Sequence, residues 1–406
     1  MLVLSLVLIS TSSRADEETS RKSEEWIRRL EMLRSVPYVG YSETAVDETD
    51  TGVVLYNPEK AYSGYNLYCA WSSGEVFLLD MEGRVVHRWT YPRLQGNFSR
   101  HAVMLESGEL IIVKLMGLLR INWDSELIWR RTLAVHHDVA PAPDGSFYVI
   151  VQETKTHRGL SVLFDTLVHM TADGEEIDMW STYDHLADIR NVLDTRSFLD
   201  TALDGLLADW SERGENFDEA EYRILSRYQR DYFHMNTVNL LPATPLGRKD
   251  SRFQMGNLLV CFRNVNQIAV LEKDTYRVLW AWGEGQLEWP HQPTMLPNGH
   301  ILIFDNGIKR KYSRVVELDP VTEAIVWEYM AEVPEDFYSY DRGSTQRLPN
   351  GNTLICESNK GRAFEVTMDG EMVWKWLSPM VGKQSRATVY RMTRVPEEQV
   401  DRFMKR

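Results

Sequence analysis

Three histidines occupy equivalent places in a repeating pattern. His137, His234 and His291 each begin a short apolar segment, within HHDVAPA, HMNTVNLL and HQPTMLP. His137 and His291 each precede the glycine of their turn, Gly145 and Gly299, by eight residues. Arg263 and Asn306 end two related runs, NLLVCFRN and HILIFDN, and Asn236 follows His234 by two residues. Imidazoles can serve as nucleophile, general acid or general base near neutral pH. A guanidinium beside them suits an oxyanion, through its fork of donors. Three histidines would also suit a metal ion. Against that, the pattern places no carboxylate as clearly, and Arg263 would repel a cation. Taken singly, each residue has a bland reading: a histidine at a strand start is commonly a satisfied structural group, an arginine a partner in an ion pair, an asparagine a turn-maker. The shared register is what points to one site.

Something must bring these distant positions together, and the candidate is a hairpin that recurs six times. Its copies are VFLLDMEGRVVHRW, LLRINWDSELIW, TLVHMTADGEEIDMW, IAVLEKDTYRVLW, RVVELDPVTEAIVW and AFEVTMDGEMVW, ending at Trp89, Trp129, Trp180, Trp280, Trp327 and Trp374. A further apolar run precedes each copy, and Asn/Asp-Gly turns such as Pro143-Asp144-Gly145 punctuate the runs. A repeat of several short strands with a period of about 40 to 50 residues predicts an all-β fold, a six-bladed β-propeller. Five blades have four strands in order. The first lacks its innermost strand, which residues 387–395 can supply from the C-terminus, closing the ring and removing sheet edges. In up-and-down blades the starts of first strands, the ends of second strands and the links between blades share one face. The three histidines, Arg263 and Asn306 should therefore ring one channel mouth.

Two segments break the strand pattern. Residues 16–33 carry Trp26, Ile27, Leu30 and Leu33 at helical spacing, and residues 183–230 are helix-forming and fall between the third and fourth blades. The second should overhang the channel and limit what enters. The expected division is a signal peptide at 1–15, a helical lead-in at 16–50, the propeller at 51–396 and a tail at 397–406. The apolar run at 2–9, with Ser13 and Ala15 before a cleavage point, predicts export to the periplasm or outside, and is too short to span a bilayer.

Composition excludes some classes. With 59 acidic against 45 basic residues and a net charge of −14, the chain is unsuited to nucleic acid, whose phosphates need clustered Lys and Arg. Cys69, Cys261 and Cys356 lie in apolar runs of different blades and read as buried thiols, with no CxxC or zinc spacing. No GxxxxGK[ST] loop and no C-x-P-x-R motif occurs.

At His136-His137-Asp138, DYFHMN (231–236), Arg263 in CFRNVNQIAVLE and His291 in WPHQPTMLPNGHILIFDNG, the sequence resembles the bacterial aryl-sulfate sulfotransferase family, the type that does not use 3′-phosphoadenosine-5′-phosphosulfate. The likeness runs from about residue 52 to 395. It implies a six-bladed, exported enzyme that moves a sulfuryl group from a phenolic sulfate ester to a phenol through a sulfated histidine. Matched by motif, His291 is the nucleophile, His234 and Asn236 a second pair, His137 the third histidine and Arg263 the oxyanion-binding arginine. The chain differs from the best-studied members in the short stretch from Arg263 to His291 and the long insertion before His234. The implied chemistry is ping-pong and needs no cofactor: a neutral His291 attacks sulfur, Arg263 and Asn236 hold the oxygens, and His234 or His137 protonates the leaving phenolate. Tyr232, Phe233 and Trp289 are candidates to stack on the substrate ring, with Asn306 a further contact, although core packing is the other role open to the aromatics. The partners implied are small aryl sulfates and phenols, and a homodimer is an assembly the resemblance allows. Other readings stay open: a non-catalytic ligand- or protein-binding propeller, or an aryl sulfate hydrolase using the same histidine. A quinone-cofactor dehydrogenase fits less well, since that fold needs eight blades and a carboxylate-rich calcium site.

Overall fold

Each repeated hairpin forms the outer half of one sheet, and the apolar run before it forms the second strand, beside an innermost strand. A computed structural model describes residues 50–70, 75–91, 99–114, 117–157, 160–193, 231–381 and 385–404. Within these, six antiparallel sheets form six blades. The inner strands of blades 1 to 6 are Val389–Val395, Ser99–Met104, Val135–Pro141, Met235–Leu240, His291–Met295 and Ser344–Arg347. Each touches the next around the ring, and the last touches the first.

Burial explains why the strands differ in pattern. Second strands such as Leu110–Lys114, Leu258–Phe262 and Ile301–Asp305 are buried throughout, because neighbouring blades cover both faces, and they read as continuous apolar runs. The outermost strand Ala324–Tyr329 alternates exposed and covered positions instead. Six apolar clusters fill the six gaps between adjacent blades.

Trp129, Trp280, Trp327 and Trp374 take the same ladder position, opposite Arg120, Val270, Glu317 and Glu365 at the register shift of the third strand, whereas Trp89 and Trp180 lie two residues further from the turn, opposite Val76 and Leu167. Three of the six tie one blade to the next. The indole N–H donates to the hairpin turn of the following blade: Trp129 to Ala172 O at 2.9 Å, Trp327 to Met368 O at 2.8 Å and Trp374 to Met81 O at 2.9 Å.

Strands from both ends of the described chain complete blades 6 and 1. Val389–Val395 pairs with Tyr65–Ala70, Val395 facing Tyr65. Gly52–Tyr56, which the repeat pattern does not reveal, adds a fifth strand to the outer edge of blade 6, with Gly52 opposite Leu377. Arg394, fully buried, reaches Asn66 Oδ1 at 2.8 Å and Glu365 at 3.1 Å and lies over the Trp374 ring. The tail is a helix, Glu397–Met404, whose Phe403 stacks on Trp123 at 5.1 Å.

Of the expected helical insertion, Leu186–Leu193 is a helix that buries Ile189 and Leu193 against blades 3 and 4. Residues 194–230 lie outside the described residues, as do 1–49, where the signal peptide and lead-in helix are expected. Cys69, Cys261 and Cys356 are buried free thiols. Among the described residues no helix is long and apolar enough to cross a membrane.

Candidate functional site

Bulges aim the histidines. Inner strands of blades 1 to 5 each slip register against their second strand near one end: between Tyr68 and Ala70, Ser99 and His101, Val149 and Val151, Met235 and Thr237, and His291 and Thr294. A bulge re-aims side chains and is common beside active sites. The backbone is also held in left-handed conformations that non-glycine residues seldom adopt: His137 at φ 63°, His234 at 53°, Trp289 at 56° and Gln292 at 43°. Such outliers cluster where surrounding structure dictates a geometry. Here Gln292 is pinned from both sides, its N–H donating to Thr237 Oγ1 at 3.0 Å and its Oε1 accepting from Thr345 N–H at 2.8 Å.

His291 has one nitrogen committed and one available. Nδ1 lies 2.7 Å from Asn306 Oδ1 and 3.0 Å from Trp289 O. Asn306 Nδ2 donates to the carbonyls of Ser339 at 2.5 Å and Arg342 at 2.7 Å, which fixes the amide so that its oxygen faces the ring. Two acceptors on Nδ1 put the proton there. Nε2 is buried and has no hydrogen-bond partner among the described residues. Burial, and then the charge of Arg263, push the imidazole down to about 3. At neutral pH His291 is therefore an uncharged ring whose Nε2 lone pair is unoccupied.

His234 and His137 meet nitrogen to nitrogen, their Nε2 atoms 3.1 Å apart. His234 Nδ1 sits 2.5 Å from Asp231 Oδ2, and its backbone N–H donates to Asp231 Oδ1 at 3.1 Å. Burial would raise the Asp231 carboxyl, but His234 and Arg263 outweigh it and hold it below the usual range. Burial and Arg263 lower His234 against the pull of Asp231.

Arg263 opens a 3-10 turn, Arg263–Val265, after the second strand of blade 4. Its backbone N–H donates to His234 O at 3.3 Å, its Nε and Nη2 to Asn264 Oδ1 at 3.1 Å, and its guanidinium lies 4.6 Å over the Trp289 ring. Its charge depresses both His234 and His291. One cation thus faces two neutral imidazoles.

Several expected substrate contacts lie elsewhere. Tyr232 and Phe233 are buried in the core between blades 3 and 4, Tyr232 stacked on Phe164 at 4.9 Å and Phe233 against Phe262 at 5.1 Å. They face into the apolar gap between blades, where the hydrophobic effect holds them. Asn306 stands behind His291 with its whole amide engaged, so it orients the ring rather than touching a ligand. Asn236 Nδ2 donates to Pro290 O at 2.8 Å, and Asn236 Oδ1 accepts from Thr237 Oγ1 at 2.9 Å. One of its two amide N–H groups thus holds the residue before His291. Trp289 is half-buried beneath Arg263.

Five neighbours extend this network: His136, Asp138, Asp165, His101 and Arg391. His136 Nδ1 contacts His137 Nδ1 at 2.5 Å, and His136 Nε2 lies 3.1 Å from Asp165 Oδ1, within ion-pair range though off the line of a hydrogen bond. Asp165 also accepts from Met235 N–H at 2.8 Å. Burial and the nearby Asp231 hold Asp165 well above the usual carboxylate range. Asp138 is bound by Arg391 at 3.0 Å, which also contacts His101 at 3.1 Å. The available signal was a charged residue within an apolar strand: Asp165 in LFDTLV, Arg391 in VYRM.

Among the described residues no group of three or more His, Cys, Asp or Glu is arranged to hold a metal ion. A separate cavity of about 620 Å³ lies between Leu193, Gln267, Trp282 and Ile325. It includes Glu284 and Glu323 and none of the residues above, so it repels rather than attracts an anion.

Comparison with known proteins supports the family that the sequence resembles. A family profile described as Arylsulfotransferase (ASST) matches residues 101–378. No curated protein matches. Among solved structures, a protein of unknown function from Bacteroides caccae aligns at 13% identity and TM-score 0.47, covering 82% of this chain and 98% of its own. A streptogramin B lyase aligns at 10% and 0.46, covering 87% and 97%. A catalytically inactive variant of virginiamycin B lyase from Staphylococcus aureus, with quinupristin, aligns at 10% and 0.44, covering 84% and 89%.

Proposed function

The chain belongs to the arylsulfotransferase family, and from that premise we propose that it transfers a sulfuryl group from an aryl sulfate ester to a phenolic acceptor through a sulfohistidine at His291, without a nucleotide donor. The observation that carries this reading is the His291 ring itself, with Nδ1 held by Asn306 and Trp289 and Nε2 buried without a partner among the described residues.

The steps balance. Nε2 attacks sulfur as the S–O bond to the aryl group breaks, and the phenolate leaves with a proton from the His137–His234 pair. The acceptor phenol then returns that proton as its oxygen attacks the N-bound sulfuryl group, restoring neutral His291. Sulfuryl transfer, like phosphoryl transfer, gathers charge on the equatorial oxygens. Arg263, whose charge already acts on His291, would face them, and one such donor in a dry site contributes about 3 kcal/mol to the transition state. Two in-line displacements give ping-pong kinetics. Site and apolar N-terminal run together favour a periplasmic or secreted enzyme, which cell fractionation tests.

Incubation with 4-nitrophenyl sulfate, with and without phenol, tests the reading. Wild type should release 4-nitrophenol faster when phenol is added and should carry a sulfuryl group on His291 with donor alone. His291→Ala should do neither. Equal product from both proteins would remove the nucleophile, and release indifferent to phenol would favour a hydrolase.

A further inference from the structure

Trp289 touches both the cation and the nucleophile of the site, and it does so with different parts of itself. Its ring lies under the Arg263 guanidinium at 4.6 Å, and its carbonyl accepts from His291 Nδ1 at 3.0 Å. Those two residues come from different blades. Arg263 follows the second strand of blade 4, and His291 starts the inner strand of blade 5. Residues 288–290 lie in the link between these blades, after Val278–Trp282.

Every main-chain polar group of residues 288–290 has a partner. Glu288 N–H donates to Asp305 Oδ1 at 2.8 Å, and Glu288 O accepts from Gly307 N–H at 3.0 Å. Trp289 N–H donates to Asn266 Oδ1 at 2.8 Å. Pro290 has no N–H, and its carbonyl accepts from Asn236 Nδ2 at 2.8 Å and Cys261 Sγ at 3.1 Å. A stretch with all its groups paired has little freedom to drift. This bonding on both sides holds Trp289 at φ 56°, a left-handed conformation that strains a bulky residue. Asn266 in turn closes the 3-10 turn that carries Arg263. Its N–H donates to Arg263 O at 3.1 Å, and its own φ is 59°. The turn bearing the cation is thus tied to Trp289 twice, by main chain through Asn266 and by the ring through the guanidinium.

Resting on the sulfotransferase reading above, we propose that Trp289 is a positioning residue that fixes the Arg263 cation relative to the His291 imidazole, and is not a platform for the substrate ring. The face of an indole attracts a guanidinium electrostatically, the more so out of water. Arg263 is 3% exposed, so little water competes. The guanidinium and the imidazole then keep one separation through both half-reactions, as preorganised stabilisation of an oxyanion requires. Trp289 itself forms and breaks no bond and acts only through Arg263 and His291.

A double-mutant cycle tests this. In Trp289→Leu, kcat with 4-nitrophenyl sulfate and phenol should fall about fivefold to thirtyfold, the scale of a desolvated cation–π contact, with KM little changed. In an Arg263→Gln background the same substitution should cost less than about twofold, because the group it serves is already gone. Trp289→Phe, which keeps an aromatic face, should recover most of the loss. A residue that only supports the fold would cost the same in both backgrounds. No loss in Trp289→Leu, or equal losses in the two backgrounds, overturns the proposal. So does a loss that appears in KM and is larger for naphthyl sulfate than for 4-nitrophenyl sulfate, the mark of stacking on the donor. If Trp289→Leu does not fold, Asn266→Gly carries the same cycle, since it removes the acceptor of the Trp289 N–H and glycine accepts the left-handed backbone there. Wild type that forms no adduct on His291 would remove the transferase reading itself, an outcome distinct from a reactive wild type in which the Trp289 and Arg263 losses simply add.

Discussion

Asn306 Oδ1 and His291 Nδ1 lie 2.7 Å apart, and the opposite end of the same amide is gripped by the carbonyls of Ser339 and Arg342. Blade 5 thus sets the tautomer of its own histidine from the adjacent strand, using main-chain groups beyond it as the anchor. Asn306→Ala leaves a buried N–H with one acceptor fewer, a loss of about 1 to 3 kcal/mol. Adduct formation from 4-nitrophenyl sulfate should slow by about tenfold to a hundredfold at 1.4 kcal/mol per decade. KM should change far less. A change confined to KM would place Asn306 in ligand contact after all.

Replacing Arg263 by lysine keeps a cation but loses the planar fork over Trp289 and the paired contacts to Asn264. Transfer should drop by about a hundredfold, the scale of losing one preorganised oxyanion donor. Arg263→Gln should in addition raise the pKa values of His291 and His234, because the cation that depresses them is gone. Histidine NMR titration would show the rise; unchanged values would place the guanidinium away from both rings.

Acid should destabilise the fold earlier than its carboxylates alone would require. His291 has a folded value of about 3 against an ordinary 6.5, and burial lowers His234 and His101 as well. Between those two values the unfolded chain binds the extra proton, so stability falls as pH drops below about 6.5. Each unit of difference corresponds to about 1.4 kcal/mol. Asp165 and Asp138, both raised, act in the opposite sense and lose stability as pH rises through their folded values. The melting temperature should decline from about pH 6.5 to about 5, and less steeply in His291→Gln. Parallel profiles would contradict the buried neutral ring.

Trp374 and Trp280 occupy the same ladder position, but of the two only the Trp374 indole N–H has an acceptor among the described residues, Met81 O. Trp374→Phe should therefore cost about 1 kcal/mol more than Trp280→Phe, the usual net value of a hydrogen bond. Chemical denaturation of the two variants measures the difference. Equal costs would mean that the tryptophans act through packing alone.

Much of the ring was legible because its signal is local. A strand, a turn and a tryptophan recur within about 15 residues, and stacking of like units follows from their unburied faces. Register likewise marked His137, His234, His291 and Arg263. What stayed hidden depends on distant partners. Gly52–Tyr56 is short and half exposed, and its mate is Met372–Leu377, at the far end of the chain. Tyr232 and Phe233 adjoin His234 in sequence, yet the left-handed turn at His234 sends them into the gap between blades while the imidazole points the other way. Asn306 looked like a ligand contact because strand ends face the channel mouth. Its amide instead reaches sideways to the neighbouring loop. Asp165 sat in LFDTLV, a run apolar enough to pass as core.

The strand that completes the hub of blade 1 is also synthesised after every strand of the other five blades. Val389–Val395 cannot reach Tyr65–Ala70 until translation has passed it, so blade 1 waits with an open inner edge while the rest are made. Unpaired edges recruit other chains. A chain ending before residue 389 would leave the inner edge of Tyr65–Ala70 without its partner strand.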